Sequence, residues 1–173
     1  MIHIFVQIPR RRAGLGEGDG LIHRLARPNL QFLDGGGILS GVANRWKTQL
    51  NENSKAWAFF ENVPELNHNA IVGYEFPREI SRNVIVIILR SIHQPEKIML
   101  RQTVTAHLLK KAGIRYIFVD GFGISPLTQL MSQVLHGDLA SYYLAILNET
   151  DPSPVETISF LKNALAKVDE EDS

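Results

Sequence analysis

The residues best suited to chemistry in this chain are one carboxylate and one imidazole, each set between two amides. These groups form the triplets Asn51-Glu52-Asn53 and Asn67-His68-Asn69. A carboxylate can accept and return a proton, and an imidazole can do both near neutral pH. The flanking amides can orient the two groups through hydrogen bonds. The segment from Arg45 to Asn69 therefore predicts proton-transfer chemistry.

An ordinary structural role stays open for both groups. Glu52 lies at the end of a predicted helix, where it can be an exposed residue paired with Lys47 or Lys55. His68 can be a surface or core histidine satisfied by its neighbours. The remaining histidines are assigned that structural role: His3, His23, His93, His107 and His136. Composition by itself favours the ordinary role for Glu52.

The composition excludes several classes of function. The 173 residues suffice for one α/β domain, and the 18 basic and 18 acidic residues cancel, which argues against a nucleic-acid partner. No cysteine is present, so disulfides and thiolate metal sites are excluded, and a cytoplasmic location is expected. No metal is expected at His68, because no second histidine or carboxylate cluster stands at ligand spacing.

The sequence also lacks the features of membrane and secreted proteins. The strongly apolar run from Val84 to Leu89 is too short to span a bilayer, so no membrane partner is expected. Pro9 and the basic run Arg10–Arg12 interrupt any apolar opening segment, so no secretory signal is expected.

The spacing of apolar residues predicts alternating strands and helices. Strands are predicted at residues 30–33, 83–89 and 115–119, and helices at residues 39–50, 96–112, 126–147 and 154–168, with Gly137 as a candidate break. The β-branched run 83–89 is typical of a parallel strand buried on both faces. We therefore expect a three-layer α/β sandwich at residues 29–168. Ligands are expected at the carboxyl ends of its strands, near Gly35–Gly37 and Asp120–Ser125.

The two ends of the chain differ in character from this domain. Residues 1–28 contain three consecutive arginines and then alternating glycines, and they indicate a divergent, flexible arm. The glycine spacing does not fit a dinucleotide-binding fingerprint. Phosphate binding by the arginines is the alternative to a solvated basic arm. Residues 169–173 form an acidic tail that is expected to fray.

Four motifs resemble one known family. They are RWKTQLNENSK, PELNHN, GDLASYYLA and DPSPVETISFLK, and they cover about residues 30–167. Together they resemble the C-terminal half of the bifunctional phosphoglucose/phosphomannose isomerases, members of the sugar isomerase (SIS) superfamily. The resemblance implies a flavodoxin-like SIS domain, two of which stand in tandem in the family. It also implies interconversion of aldose and ketose 6-phosphates without a metal or an organic cofactor.

The resemblance assigns a role to three residues. Glu52 matches the catalytic base, which moves a proton between C2 and C1 of the sugar through a cis-enediol. His68 matches the residue that helps to open the sugar ring, and the family places it across a dimer interface. Lys162 matches the C-terminal lysine that assists at the ring oxygen. The implied partners are a phosphorylated hexose and a second copy of the chain in a homodimer, which the extensive apolar helical faces also favour.

The chain departs from the family in its phosphate-binding features. The phosphate loops of the family are rich in serine and threonine and lie mainly in the N-terminal SIS domain, and no such loop occurs here. Residues 1–28 are too few to form that domain. Ala70 is a smaller departure, since the family motif often continues with an acidic residue.

Two hypotheses therefore stand. In the first, the chain is a sugar-phosphate isomerase that acts on glucose 6-phosphate, mannose 6-phosphate and fructose 6-phosphate, or the catalytic C-terminal half of one that needs a separate or missing N-terminal SIS domain. In the second, the chain is a non-catalytic SIS module that binds a phosphosugar or mediates dimerisation.

Overall fold

A computed structural model describes residues 30–171, and these residues form four β-strands and five α-helices. The strands are β1 (Leu30–Gly36), β2 (Ala58–Val63), β3 (Val84–Arg90) and β4 (Arg115–Asp120). The helices are α1 (Ser40–Glu52), α2 (Arg78–Ser81), α3 (Glu96–Lys111), α4 (Pro126–Leu147) and α5 (Glu156–Glu171), with short 3-10 helices at Gly37–Leu39, Glu65–Asn67 and Ala70–Gly73. The arm predicted at residues 1–28 lies outside the described residues. Helix α5 continues through Glu171, so the tail begins as helix.

All strands of the sheet are parallel and follow the order β2-β1-β3-β4. This is the order of the first four strands in a flavodoxin-like sheet. Helices α1 and α4 cover one face over a core that includes Leu33, Trp46 and Leu144. Helix α3 covers the other face over a core that includes Val86 and Leu109. The predicted three-layer sandwich with a flavodoxin-like sheet is confirmed.

Strand β2 is the strand that the sequence pattern missed, and the four-residue helix α2 was not predicted either. Strand β2 pairs with β1 from Gln31↔Ala58 to Gly36↔Val63, at the edge of the sheet. Its sequence AFFENV places two polar residues, Glu61 and Asn62, within six positions, so it shows neither continuous apolar character nor strict alternation. By contrast, every residue of the central strand β3 except the last is buried, which confirms the prediction for its β-branched run.

The glycine run after β1 packs more closely than a simple turn would. Gly35 and Gly36 belong to the strand, and only Gly37 of the three adopts a positive φ, of 60°. A Cβ atom on Gly35 would lie 2.6 Å from the Cβ atom of Ala43. The glycine therefore allows α1 to return closely against the strand that precedes it.

Helix α4 runs without a break through Gly137. The glycine is instead the place where the helix packs against the indole of Trp46, because a Cβ atom there would overlap the indole ring. Trp46 is 1% exposed, and its Nε1 donates a hydrogen bond of 2.7 Å to the carbonyl of Gln133. This contact joins α1 to α4 and fixes the path of both helices.

Replacing Gly137 with alanine should destabilise the fold despite the higher helix propensity of alanine. The methyl group would displace the Trp46 ring, and overpacking of this kind outweighs the propensity gain, for a net loss of about 1–2 kcal/mol. Urea unfolding measures the change. Gly41→Ala is the matched control, since a Cβ atom there would meet no atom within 4 Å apart from its chain neighbours and the backbone of α1, and it should stabilise the protein by about 0.5–1 kcal/mol. Equal effects of the two substitutions would contradict the packing argument.

Candidate functional site

Glu52 is the last residue of α1, and its side chain is exposed beside the start of β2. The two flanking amides do not contact its carboxylate. Asn51 Nδ2 donates to the carbonyl of Ala56 at 2.8 Å, and Asn53 Nδ2 donates to Ser141 Oγ at 2.9 Å. Contrary to expectation, the amides fix the backbone turn after α1 and leave the carboxylate facing outward.

Lys55 connects the end of α1 to the segment that leads into α5. Its Nζ donates to the carbonyl oxygens of Glu52 at 2.6 Å and Pro154 at 2.7 Å. The expected pairing of this lysine with the Glu52 carboxylate is therefore replaced by a contact with the Glu52 backbone. The contact brings the beginning of α5 close to Glu52. Lys162 lies six residues after Glu156, which is about 9 Å along the helix axis.

His68 is exposed in the loop that follows β2. Asn67 Nδ2 donates to Thr105 Oγ1 at 2.9 Å, which ties the loop to α3, and Asn67 Oδ1 accepts from Arg101 at 3.3 Å. Asn69 Oδ1 accepts from the backbone N–H of Ala70 and caps the next 3-10 helix. Here too the amides hold the backbone, and the imidazole is presented to solvent.

The structure does not bring Glu52 and His68 together within one chain. Glu52 lies at the amino end of β2 and His68 beyond its carboxyl end. Six residues of strand separate these ends, and they span about 17 Å at about 3.3 Å per residue. Groups that exchange protons with one substrate must lie within about 3 Å of the reacting atoms. The two side chains of a single chain therefore cannot serve the same pair of sugar carbons.

The crevice between the carboxyl ends of β1 and β3 is filled by a glutamine. The strand order reverses here, and ligands of such sheets ordinarily bind at this point. Gln94 Nε2 donates to the carbonyl of Gly36 at 2.9 Å, and Gln94 Oε1 accepts from the N–H of Ser91 at 3.0 Å. Gln129 Oε1 accepts from the N–H of Ile92 at 3.0 Å. Backbone donors of the kind that hold a phosphate are thus already engaged.

A cavity with a buried carboxyl group was not anticipated from the sequence. Asp34 is 2% exposed, neither of its oxygens has a hydrogen-bond partner, and it lines a cavity of about 270 Å³. Burial raises the pKa of Asp34 to about 7, with a further rise from the charge of Glu61, its neighbour in register on β2. Burial also raises the pKa of Tyr74, and both carboxylates add to that rise. The available signal was a lone acid directly after an apolar run.

Two further properties hold for the described part of the chain. None of its helices combines the length and apolar character needed to cross a membrane. Within residues 30–171, no three histidine, aspartate or glutamate side chains gather as metal ligands would.

Comparison with known proteins supports the resemblance first recognised in the motifs. Residues 20–165 match the family model described as the bacterial phospho-glucose isomerase C-terminal SIS domain. The chain is 38% identical over 134 residues to the bifunctional phosphoglucose/phosphomannose isomerase of Caldicellulosiruptor bescii, covering 76% of this chain and 39% of that protein. It is 35% identical over 130 residues to the enzyme of the same name from Aquifex aeolicus, covering 75% of this chain and 40% of that protein. The chain therefore spans about two fifths of the length of these relatives.

Solved structures agree on the fold. A glucose-6-phosphate isomerase like protein from Thermus thermophilus matches with a TM-score of 0.61 at 19% identity, over 78% of this chain and 45% of that one. The C-terminal domain of glucosamine-fructose-6-phosphate aminotransferase from Francisella tularensis matches with a TM-score of 0.60 at 14% identity, over 78% of this chain and 40% of that one. Both likenesses concern the fold alone. With the family model and the relatives, they lead to the conclusion that this chain belongs to the family of bacterial phosphoglucose isomerase C-terminal SIS domains.

Proposed function

We propose that the chain is the catalytic C-terminal half of a sugar-phosphate isomerase, which interconverts glucose 6-phosphate or mannose 6-phosphate with fructose 6-phosphate. The observation that carries the proposal is the presentation of Glu52 by a fixed backbone at the end of α1, in a chain of this family. Such a carboxylate can serve as a base once another surface closes over it. We place the reaction in the cytoplasm, as the composition led us to expect.

The chemistry requires one base that returns the proton it removes. The Glu52 carboxylate takes the proton from C2 of the open-chain aldose, while the C1 carbonyl oxygen takes a proton from water and a cis-enediol forms. The same carboxyl group then delivers its proton to C1, and the C2 hydroxyl gives its proton to water as it becomes the ketose carbonyl. His68 exchanges a proton with the ring and hydroxyl oxygens during ring opening. Lys162 stabilises negative charge that develops at the ring oxygen.

A second copy of the chain completes this site. Glu52 and His68 lie at opposite ends of β2 in one chain, so the site joins Glu52 of one copy to His68 of another. A homodimer with two equivalent sites satisfies that requirement. The exposed apolar side chains of α5, which include Ile158, Leu161 and Leu165, are available to the same assembly.

The phosphate group of the substrate is held by another SIS domain. The crevice at the ends of β1 and β3 is occupied by Gln94, and the nearby N–H groups are engaged by glutamine side chains. The relatives are more than twice as long as the matched region. Phosphate binding contributes remote binding energy that lowers the barrier at the reacting carbons. We therefore propose that full activity requires the domain that precedes this one in the relatives.

The alternative is a non-catalytic module whose role is dimerisation. The filled crevice and the exposed apolar stripe of α5 favour it over a module that binds phosphosugars by itself. Activity measurements decide between this alternative and the isomerase.

Fusing the preceding portion of the Caldicellulosiruptor bescii isomerase to this chain should produce an active enzyme. The expected result is conversion of fructose 6-phosphate to glucose 6-phosphate, followed by a coupled dehydrogenase assay. The isolated chain should turn over at least about a hundredfold more slowly, because it lacks the phosphate contacts. The preceding portion alone serves as the control. A fusion that folds, dimerises and binds fructose 6-phosphate in calorimetry, yet shows no turnover, would instead support the dimerisation module.

A further inference from the structure

The cavity beside Asp34 is distinct from the crevice filled by Gln94, because neither Gln94 nor the Gly36 carbonyl that it contacts lines the cavity. It lies on the α3 face of the sheet, beneath the segment 69–81, and has a volume of about 270 Å³. Its wall is largely apolar and includes Leu66, Ile80, Val84, Val86, Leu109 and Ile114. Phe76 and Asn69 also line the cavity and are exposed, so it reaches the surface next to them.

The Asp34 carboxyl group is a buried polar group in the otherwise largely apolar wall of this cavity. Both carboxyl oxygens are buried and have no hydrogen-bond partner. Glu61, next to Asp34 in register, also lines the cavity, and no lysine, arginine or histidine of the described residues does so. Buried carboxylates in proteins are normally paired with a cation or with hydrogen-bond donors. The unpartnered carboxylate of Asp34 therefore provides the negative half of an ion pair.

We propose that this cavity binds a small apolar primary amine. Its ammonium group contacts Asp34, and its hydrocarbon part fills the cavity and contacts the apolar wall. An ammonium group supplies three hydrogen-bond donors and a positive charge, which suit two unpartnered carboxyl oxygens. The aromatic ring of Tyr74 also lines the cavity, whereas the ring of Phe76 is already in contact with the guanidinium of Arg78, 5.7 Å from its centroid. Apolar cavities of about 150 Å³ bind benzene-sized molecules, so this one has room for a ring with a short arm.

Phenethylamine is a probe of the right shape, and 2-phenylethanol is its neutral counterpart. In calorimetric titrations of the whole chain at pH 8, phenethylamine should bind about tenfold more tightly than 2-phenylethanol. Asp34→Asn should lower the affinity for the amine about tenfold and leave that for the alcohol unchanged. Glu65→Gln, which removes an exposed acid near the cavity, is the matched control and should leave both affinities unchanged.

The amine should also bind about tenfold more weakly at pH 5.5, where Asp34 holds its proton, since its pKa is raised to about 7 by burial and by Glu61. The groups that face Asp34 are Glu61 from β2 and Tyr74 from the segment after β2, while Thr105 and Leu109 from α3 carry no charge. Thermal unfolding of Asp34→Asn confirms that this variant is folded. Equal affinities for amine and alcohol, an amine affinity unaffected by Asp34→Asn, or no saturable amine binding by about 10 mM would each overturn the proposal.

Discussion

Mixing two inactive variants of the fused isomerase, Glu52→Gln and His68→Ala, should restore about one quarter of the original activity. Each variant alone should lose about 10²–10⁴ in kcat, because each lacks one proton-transfer group. Random exchange of subunits makes about half of the dimers mixed. If the site joins Glu52 of one copy to His68 of the other, a mixed dimer holds one site with both groups intact and one with neither.

The result depends on the distance that the fold imposes. Strand β2 separates the two residues by about 17 Å within a chain, so one copy cannot present both groups to one sugar. Subunits are exchanged by brief treatment with mild denaturant, and light scattering verifies that dimers re-form. Activity is then measured with fructose 6-phosphate against an equal amount of the unmutated fusion.

Mixing Glu52→Gln with Glu52→Ala is the matched control, because no combination of those chains supplies a carboxylate. It should remain inactive. A mixture of Glu52→Gln and His68→Ala that also stays inactive, while native mass spectrometry shows mixed dimers, would mean that the two residues do not share a site between copies.

The sequence predicted the strands that are buried on both faces and the helices that are buried along one face, because burial gives each a regular pattern of apolar residues. The central strand β3 follows from its β-branched run, and α4 from its apolar positions and its start at Pro126. The order of the motifs also predicted the family. Strand β2 was missed because an edge strand with Glu61 and Asn62 has no clear period.

The sequence named candidate site residues, and the family resemblance placed His68 across a dimer interface, but the pattern did not show where Glu52 and His68 lie within one chain. The triplets around Glu52 and His68 suggested one shared site, yet position along a chain does not tell which end of a strand a residue reaches. The amides looked suited to orient the reactive groups, whereas the fold uses them to secure turns. In the sequence, nothing distinguishes Gln94 from other loop glutamines, and only the fold shows that its side chain lies across the crevice. Such features depend on tertiary contacts between residues far apart in sequence.

Replacing Asp34 with asparagine should stabilise the fold by up to about 4 kcal/mol at pH 8 and have little effect near pH 4. Burial, followed by the charge of Glu61, raises the pKa of Asp34 from 3.8 to about 7. Each pKa unit corresponds to about 1.4 kcal/mol, which gives a total of about 4 kcal/mol. The amide has a similar shape but never carries the charge.

The direction in which stability changes with pH follows from the number of protons bound in the folded and unfolded states. Between about pH 4 and pH 7 the folded protein keeps the Asp34 proton while the unfolded chain releases it, so the stability of the unmutated protein falls as the pH rises. Above about pH 7 both states are ionised, and the full cost of the buried charge is present. The difference in the free energy of unfolding between Asp34→Asn and the unmutated protein should therefore grow from about pH 4 to about pH 7 and then stay constant.

Urea unfolding at pH 4, 5, 6, 7 and 8 measures this difference, at one protein concentration because formation of the proposed dimer would also change the stability. Glu65→Gln is the control: this acid is exposed, so its replacement should change the free energy of unfolding by no more than about 0.5 kcal/mol at any pH. A difference between Asp34→Asn and the unmutated protein that does not vary with pH would show that the carboxyl group gains compensating partners. In the expected case, phenethylamine added at pH 8 should narrow the difference in stability, since it binds more tightly to the folded protein that retains the Asp34 charge and stabilises it more than Asp34→Asn.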